Sequence, residues 1–403
     1  MLLLALAACA RGPMVAAPIG SPQPPGAGPG AAILGGPPPP GAAGPVKVAV
    51  LLPLSGANAE LGKAMLEAAQ MALFTTGNDR LTLVPRDTSG TPDDAAGAAR
   101  AAIGEGAQLI LGPLLAAEVD TVKPVAGEAR INVIAFSTAT QLAGDNVFLM
   151  GFLPRQEVAR EVAFARDSGL TRFAALTPNS EYGRLMTDAL RETAGQAGAT
   201  VVKAETFDPR SGDAGPAIQR LAGTAASTAA AGPPDAASAP PIAAGFDALL
   251  LPEGGDQLKQ IARRLKTAGI GMPQVRLLGS GLWDDASIGG EPALAGGWFA
   301  ASPPDARREF QSRFQATYGH PPPRLASLAF DAAALAAVLA KASGPAPFSH
   351  DAILNPSGFT GVDGLFRFTA QGLVQRGLAV LEVQPQGTVV VSPAPRDFRD
   401  FVY

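Results

Sequence analysis

The sequence contains very little cysteine and histidine. Its 403 residues include one cysteine, Cys9, and two histidines, His320 and His350. One cysteine excludes an intrachain disulfide and a cysteine-rich metal site. Both histidines lie in loop sequence rich in Pro and Gly, which does not favour a Ser-His-Asp triad.

The sequence also lacks an excess of positive charge. It has 31 Lys and Arg against 35 Asp and Glu, a net charge of −4, and only 6% aromatic residues. Nucleic-acid binding needs basic residues to neutralise phosphates and aromatic residues to stack on bases, so the composition argues against it. Hydrophobic residues make up 47%, enough for a folded chain of this length with two domains.

Nucleotide-binding and hydrolase motifs are missing as well. Gly56, Gly62 and Lys63 follow a predicted strand, where a phosphate-binding loop would lie. However, five residues separate the glycines instead of four, and Ala64 replaces the hydroxyl residue that would hold magnesium. No G-x-G-x-x-G follows a strand and no G-x-S-x-G occurs. The sequence therefore predicts a protein that is not an enzyme and uses no cofactor or metal.

The N-terminus has the features of a targeting segment. Residues 2–8 form an apolar run that is too short to cross a bilayer, which needs about 20 residues. The run predicts a signal segment over 1–8, and LAAC, ending at Cys9, resembles the bacterial lipobox, whose cysteine is acylated. Ala10, rather than Asp, favours the outer membrane. No basic residue precedes the run, so we expect the translation start to lie upstream.

Residues 9–45 are predicted to form the acylated cysteine followed by a disordered tether. Positions 11–45 hold 11 Pro and 9 Gly without hydrophobic periodicity. Such a segment cannot bury enough apolar surface to offset its ordering entropy. In a polyproline II conformation it would reach about 110 Å, which would hold a folded part near a membrane but away from it.

The rest of the chain alternates between strand and helix patterns, which predicts parallel α/β sheets. Buried strands are predicted at 46–52, 81–85, 108–111, 132–136, 172–177, 200–206, 247–251 and 275–278. Helices are predicted between them at 58–75, 91–104, 116–129, 155–168, 181–196, 214–221 and 256–268. Residues 222–245 are Ala-, Pro- and Ser-rich and are predicted to be a disordered insertion.

Several stretches resemble a known family. VAVLLPLSGANAELGKAMLEAAQMAL, LILGPLLAAEVDTVKPVA, INVIAFSTATQL and NSEYGRLMTDALRETAGQAGATVV are similar to segments of type I periplasmic binding proteins, such as the branched-chain amino-acid binders. LLGSGLWDD, LAGGWFAASP and GFTGVDGLFRF bring the chain closest to the penicillin-binding-protein activator lipoproteins of that superfamily. The similarity is spread over residues 46–403.

The resemblance implies two Rossmann-like lobes joined by three crossing segments. The first lobe is expected to comprise 46–152 and 279–352, and the second 153–278 and 353–403. Ligands of open α/β sheets bind in the crevice beyond the carboxyl ends of the strands. The ligand site is therefore expected between the lobes.

Polar or aromatic residues that follow predicted strands are the candidate ligand contacts. The candidates are Ser55, Ser137, Thr138, Tyr182, Glu253 and Trp283. By resemblance, Ser137 and Thr138 would hold a ligand carboxylate and Tyr182 would close over the ligand. The negative charge of Glu253 would suit a ligand ammonium group, and Trp283 would form an apolar wall. Structural roles remain open: Ser55 as a helix cap, Tyr182 as a packing residue, and Trp283 as a core residue like Trp298.

One loop departs from the amino-acid binders. Their third strand is followed by hydroxyl residues that bind the ligand carboxylate, whereas here the loop over 112–117 reads GPLLAA. It has no hydroxyl group, and Pro113 removes a backbone donor. Burying a carboxylate without such donors would cost several kcal/mol.

Two functions follow. The first is a lipoprotein, anchored in the outer membrane and facing the periplasm, that activates a peptidoglycan synthase (a penicillin-binding protein). The alternative is the substrate-binding component of an ABC transporter for branched-chain amino acids or amides, whose partners would be a small amino-acid ligand and a permease. The lipobox, the tether and the loop at 112–117 favour the first. Ser137, Thr138, Tyr182 and Glu253 favour the second.

Overall fold

The computed structural model describes residues 32–33, 45–229, 245–341 and 346–399. The helices are α1 Ala59–Thr76, α2 Pro92–Gly104, α3 Ala116–Glu128, α4 Pro154–Asp167, α5 Glu181–Gln196, α6 Gly215–Ala229, α7 Gly255–Thr267, α8 Pro304–Tyr318, α9 Ala326–Lys341 and α10 His350–Ile353. The strands are β1 Ala32–Ile33, β2 Val46–Leu52, β3 Leu81–Asp87, β4 Ala107–Leu111, β5 Asn132–Ala135, β6 Val147–Leu149, β7 Arg172–Pro178, β8 Thr200–Phe207, β9 Ala248–Leu250, β10 Arg276–Leu278, β11 Trp298–Ala301, β12 Phe359–Gly361, β13 Gly364–Phe368, β14 Val374–Arg376, β15 Ala379–Gln384 and β16 Gly387–Ser392.

The first lobe is built on a five-stranded parallel sheet in the order β3-β2-β4-β5-β6. Its inner strand β2 is buried at every position except Lys47, as expected for a strand covered on both faces. Side chains of α1, α8 and α9 fill the core on one face, and those of α2 and α3 fill the core on the other. A small sheet of β1, β12, β13 and β14 packs at the edge of this lobe.

The second lobe is built on a seven-stranded sheet in the order β16-β15-β11-β10-β9-β7-β8. The strands from β8 to β11 are parallel, whereas β15 and β16 add antiparallel to the edge. Cores lie on both faces of this sheet. The predicted α/β class with two lobes is confirmed, and each strand and helix predicted between 46 and 278 is present within a few residues. The three-residue strand β6 was missed because it is too short to show periodicity.

The lobe boundaries differ from those expected after residue 278. Residues 279–302 belong to the second lobe, because β11 pairs with β10 and β15 in its sheet. Residues 353–376 belong to the first lobe, because Phe359 and Phe366 pack in the core that contains α9. The chain therefore crosses between the lobes near 150–154, 302–304 and 376–379. The distant strand pairings that decide these boundaries leave no local pattern in the sequence.

The predicted insertion at 222–245 is partly helical. Helix α6 continues to Ala229, consistent with the high helix propensity of its alanine-rich sequence. The remainder of the insertion, the signal segment, Cys9 and nearly all of the tether lie outside the described residues. Within the tether, β1 is described and pairs in parallel with β12. Among the described residues, no helix has both the length and the apolarity needed to cross a membrane.

Candidate functional site

A cleft of about 950 Å³ lies between the two lobes. Residues of the first lobe that line it come from the start of α1, the loops after β4 and β5, and the segment before α9. Residues of the second lobe come from the first turns of α4 and α5 and from the loop after β10. The cleft therefore lies at the carboxyl ends of the parallel strands, where open α/β sheets bind ligands.

The loop after β5 forms one polar wall of the cleft. Ser137 is buried, and its Oγ accepts a hydrogen bond from the backbone N–H of Ala139 at 3.1 Å. Thr138 has an exposed side chain and also lines the cleft, together with Thr140 and Gln141. The structure thus places both predicted residues at the cleft, and their contact with a ligand remains a prediction.

The loop after β4 forms an apolar wall. Leu114, Leu115 and Ala116 line the cleft there. Beneath them, Glu118 is fully buried and its Oε2 accepts the N–H of Leu115 at 3.1 Å. Burial raises the pKa of the Glu118 carboxyl, although hydrogen bonds from Thr88 and Leu115 oppose the increase. This loop therefore offers a leucine surface to the cleft.

Tyr182 lies at the cleft because α5 begins immediately before it. Ser180 caps the helix, its side chain accepting the N–H of Gly183 at 3.1 Å. Tyr182 lines the cleft from the second lobe. Burial raises the pKa of its hydroxyl strongly, and the nearby carboxylate of Glu157 adds to the increase.

Glu157 is a cleft residue that the sequence analysis missed. It lies in the first turn of α4, lines the cleft and is only 8% exposed. Its Oε2 accepts the N–H of Gly281 at 3.0 Å. Burial raises the pKa of Glu157 to about 7, against the opposing effects of that hydrogen bond and of Arg324. One turn further, burial also raises the pKa of Glu161, which accepts the N–H of Ala300 at 2.9 Å.

Arg324 is the second cleft residue that was missed. It precedes α9 on the first lobe, and its guanidinium lies 3.7 Å from the ring centre of Phe152, which also lines the cleft. Its Nη1 donates to Asp363 Oδ1 at 3.1 Å and to Ser327 Oγ at 3.0 Å, and its Nη2 donates to Ser302 Oγ at 3.3 Å. An arginine in a turn carries no sequence signal that separates a cleft residue from a surface residue.

Two predicted residues, Ser55 and Glu253, are not among those that line the cleft. Ser55 is exposed, and its N–H donates to Asp87 Oδ1 at 3.2 Å; the cap position of α1 is Asn58, so Ser55 does not cap that helix. Glu253 is half-buried and accepts the N–H of Gly254 at 3.1 Å. It is near enough to Tyr182 to raise the pKa of that hydroxyl.

The prediction that Trp283 forms a cleft wall is wrong. Its side chain is fully buried in the core of the second lobe, and its Nε1 donates to the carbonyl of Leu251 at 3.1 Å. Only its neighbours Gly281 and Leu282 reach the cleft. Trp298 is also buried and donates to Glu382 Oε2 at 2.9 Å.

Among the described residues, no group of three or more His, Cys, Asp or Glu side chains is arranged to hold a metal ion. The polar side chains that line the cleft are serine, threonine and tyrosine side chains, the amides of Asn58 and Gln141, two arginines and two glutamates. Their combination with leucine and phenylalanine side chains is typical of a site for a small ligand with one polar end.

Comparison with known proteins identifies the family. A model described as periplasmic binding protein matches residues 45–388. A putative branched-chain amino acid ABC transporter protein from Rhodospirillum rubrum has 20% identity and a TM-score of 0.73, covering 86% of this chain and 100% of its own. A leucine binding protein from Thermotoga maritima has 20% identity and a TM-score of 0.59, covering 87% and 98%. An R. palustris solute binding protein in complex with benzoate has 20% identity and a TM-score of 0.60, also covering 87% and 98%.

No curated protein matches the chain. These three solved structures are each 20% identical to it, so they show the shared fold and not a shared ligand. The family model, in contrast, spans most of the described residues of both lobes. The two-lobed fold, the cleft at the strand ends and this match together show that the chain belongs to the periplasmic binding protein family.

Proposed function

We propose that this protein is the solute-binding component of an ABC transporter and that it carries a small amphipathic solute of the amino-acid type. The observation that carries the proposal is the cleft between the lobes, with leucine side chains on one wall and hydroxyl and charged groups on the others. Its volume of about 950 Å³ is in the range of small-molecule sites. Membership of the family implies a periplasmic location.

Two kinds of relative support this choice of solute. One solved structure of the same fold is a leucine binding protein, and another was solved with benzoate bound. Both ligands join a carboxylate to an apolar body, which is the combination that the cleft offers. Because no nucleophile and base are paired among the cleft residues, the proposed role is binding and not catalysis.

The test is calorimetric titration of the purified protein with leucine, isoleucine and benzoate. We expect at least one to bind and to raise the melting temperature, since a ligand at 100 times its Kd stabilises by about 2.7 kcal/mol. Tyr182→Phe should weaken binding severalfold by removing a cleft hydroxyl. Tyr318→Phe is the matched control, because the Tyr318 hydroxyl donates to the Glu67 carbonyl outside the cleft. Absence of binding to all three compounds would contradict the proposal.

A second candidate function is activation of a penicillin-binding protein. The loop after β4 favours it, because Leu114, Leu115 and Ala116 stand where amino-acid binders are expected to have hydroxyl groups. The test is a peptidoglycan synthesis assay with and without this protein. A rise in synthase activity together with co-purification would support activation, and an unchanged rate would exclude it.

We further propose that Cys9 anchors the protein in the outer membrane through its acyl chains. Two or more chains are needed for stable anchoring, and a lipobox cysteine carries at least two. Cell fractionation should find the wild-type protein with the outer membrane and the Cys9→Ala variant in a different fraction. Equal distribution of both proteins would reject the anchor.

A further inference from the structure

We propose that Arg324 binds the carboxylate of a small monocarboxylate solute in the cleft, an inference that rests on the solute-binding function proposed above. Arg324 lines the cleft from the first lobe, and its side chain is 25% exposed. A guanidinium can hold a carboxylate through two parallel N–H···O bonds. Arg324 would supply the hydrogen-bond donors that the loop after β4 lacks.

The hydrogen bonds of Arg324 leave one edge of the guanidinium available. Nη1 donates to Asp363 and Ser327, and Nη2 donates to Ser302. In the described part of the chain Nε donates to no group, and Nη2 has two hydrogens for this one hydrogen bond. Nε and Nη2 together form the side edge of a guanidinium, which fits a carboxylate.

The guanidinium is also held rigidly before any ligand arrives. Asp363 is fully buried, and the ring of Phe152 lies against the face of the guanidinium at 3.7 Å. Phe152 and Ser302 belong to two of the segments that cross between the lobes. Little rotamer entropy therefore remains to be lost when a ligand binds, which favours affinity.

Two further arginines lie in the buried charge cluster around Arg324. Arg307, Arg324 and Arg376 interact with the buried carboxyl of Asp363. Burial raises the pKa of Asp331 in this cluster to about 7, and it raises the pKa of Glu157, which interacts with Arg324 from the second lobe, to about 7 as well. Partial protonation of these two carboxyls at neutral pH reduces the negative charge that a ligand carboxylate at Arg324 would meet.

The experiment compares acid and amide forms of the same solute. Benzoate with benzamide, and leucine with leucinamide, are titrated into the wild-type protein and into Arg324→Gln. We expect the wild-type protein to bind at least one acid 10-fold or more tighter than its amide, and Arg324→Gln to lose this preference by weakening acid binding alone. Arg276→Gln is the matched control, because Arg276 is similarly buried, pairs with Glu382 and lies over the ring of Trp298, but does not line the cleft.

Arg324→Lys keeps a positive charge beside buried Asp363. This variant replaces Arg324→Gln in the experiment if Arg324→Gln does not fold. It should reduce the acid preference severalfold, because an ammonium group cannot form the two parallel bonds. A preserved preference in the folded Arg324 variants, or its loss in Arg276→Gln, would overturn the proposal while leaving solute binding intact. If the wild-type protein binds none of the four compounds, this inference and the proposed function fail together.

Discussion

Trp283 supports the second lobe from inside its core. Its ring lies directly under the backbone of Gly279 and Gly297, where an added Cβ would come within 2.2 Å and 2.7 Å of ring atoms. Its Nε1 donates a hydrogen bond to the carbonyl of Leu251, at the end of the neighbouring strand. The residue thus fixes the strand ends that carry cleft residues without facing the cleft itself.

We expect Trp283→Phe to destabilise the protein by about 1–3 kcal/mol, because it leaves a cavity and removes the hydrogen bond from the indole to the Leu251 carbonyl. Solute affinity should be unchanged, because the ring does not line the cleft. Urea unfolding measures the first effect and calorimetry the second. A large loss of solute affinity in the folded variant would instead indicate that Trp283 contacts the ligand.

Glu157 makes stability depend on pH. Its pKa rises from 4.5 to about 7 on folding, so the native state binds a proton more tightly than the unfolded chain. The native state therefore holds more protons between these values, and stability falls as the pH rises through that window. A shift of this size corresponds to about 3 kcal/mol.

The variant Glu157→Gln removes this titration. Urea unfolding measures the difference in stability between Glu157→Gln and the wild-type protein at each pH. We expect this difference to favour the variant more at pH 8 than at pH 5, by up to about 3 kcal/mol. Glu181→Gln is the control, since Glu181 lines the same cleft with an exposed side chain. An equal pH response in both variants would argue against a buried, titrating Glu157.

In each lobe, a glycine allows one helix to lie close to the end of the strand that precedes it. An added Cβ on Gly62 of α1 would lie 2.1 Å from the Pro53 carbonyl oxygen, and one on Gly183 of α5 would lie 1.9 Å from that of Pro178. These contacts hold the helix starts, and with them Leu61 and Tyr182, at the cleft.

Helix α5 contains a second glycine, Gly195, which serves as a control for the packing role of Gly183. Gly183→Ala should destabilise by about 1–3 kcal/mol or more and weaken solute binding, because the helix start must move away from Pro178. Gly195→Ala, which meets nothing within 4 Å, should stabilise by up to about 1 kcal/mol. Urea unfolding of both variants checks the pair, and similar effects in the two would refute the packing role.

At the scale of the whole molecule, neither lobe is a continuous piece of chain. The core of the first lobe joins α1 and β2 to α8, α9 and the β12–β14 sheet. Two hydrogen bonds connect these parts. Asn78 donates to the carbonyl of Ala337 at 2.8 Å, and Lys341 donates to the carbonyl of Thr76 at 2.6 Å. The two segments must therefore fold together.

We expect the fragment 45–151 to lack a cooperative unfolding transition, because α1 would expose its apolar face. Joining 45–151 to 303–376 through a short Gly-Ser linker should restore a cooperative transition, since that fusion contains every buried residue of this core except Leu153. Circular dichroism during thermal unfolding distinguishes them. A cooperative transition in the first fragment would show that α9 is dispensable.

The α/β class and the elements between 46 and 278 could be predicted from the sequence, because buried strands and amphipathic helices have local periodicities. The position of Ser137, Thr138 and Tyr182 at the cleft could also be predicted, since residues that follow parallel strands share one edge of a sheet. The burial of Trp283, the lobe to which residues 279–302 belong and the position of Glu157 and Arg324 at the cleft became visible in the folded chain. Burial, strand pairing and the charge around a side chain come from segments that are far apart in the chain, so no local pattern predicts them.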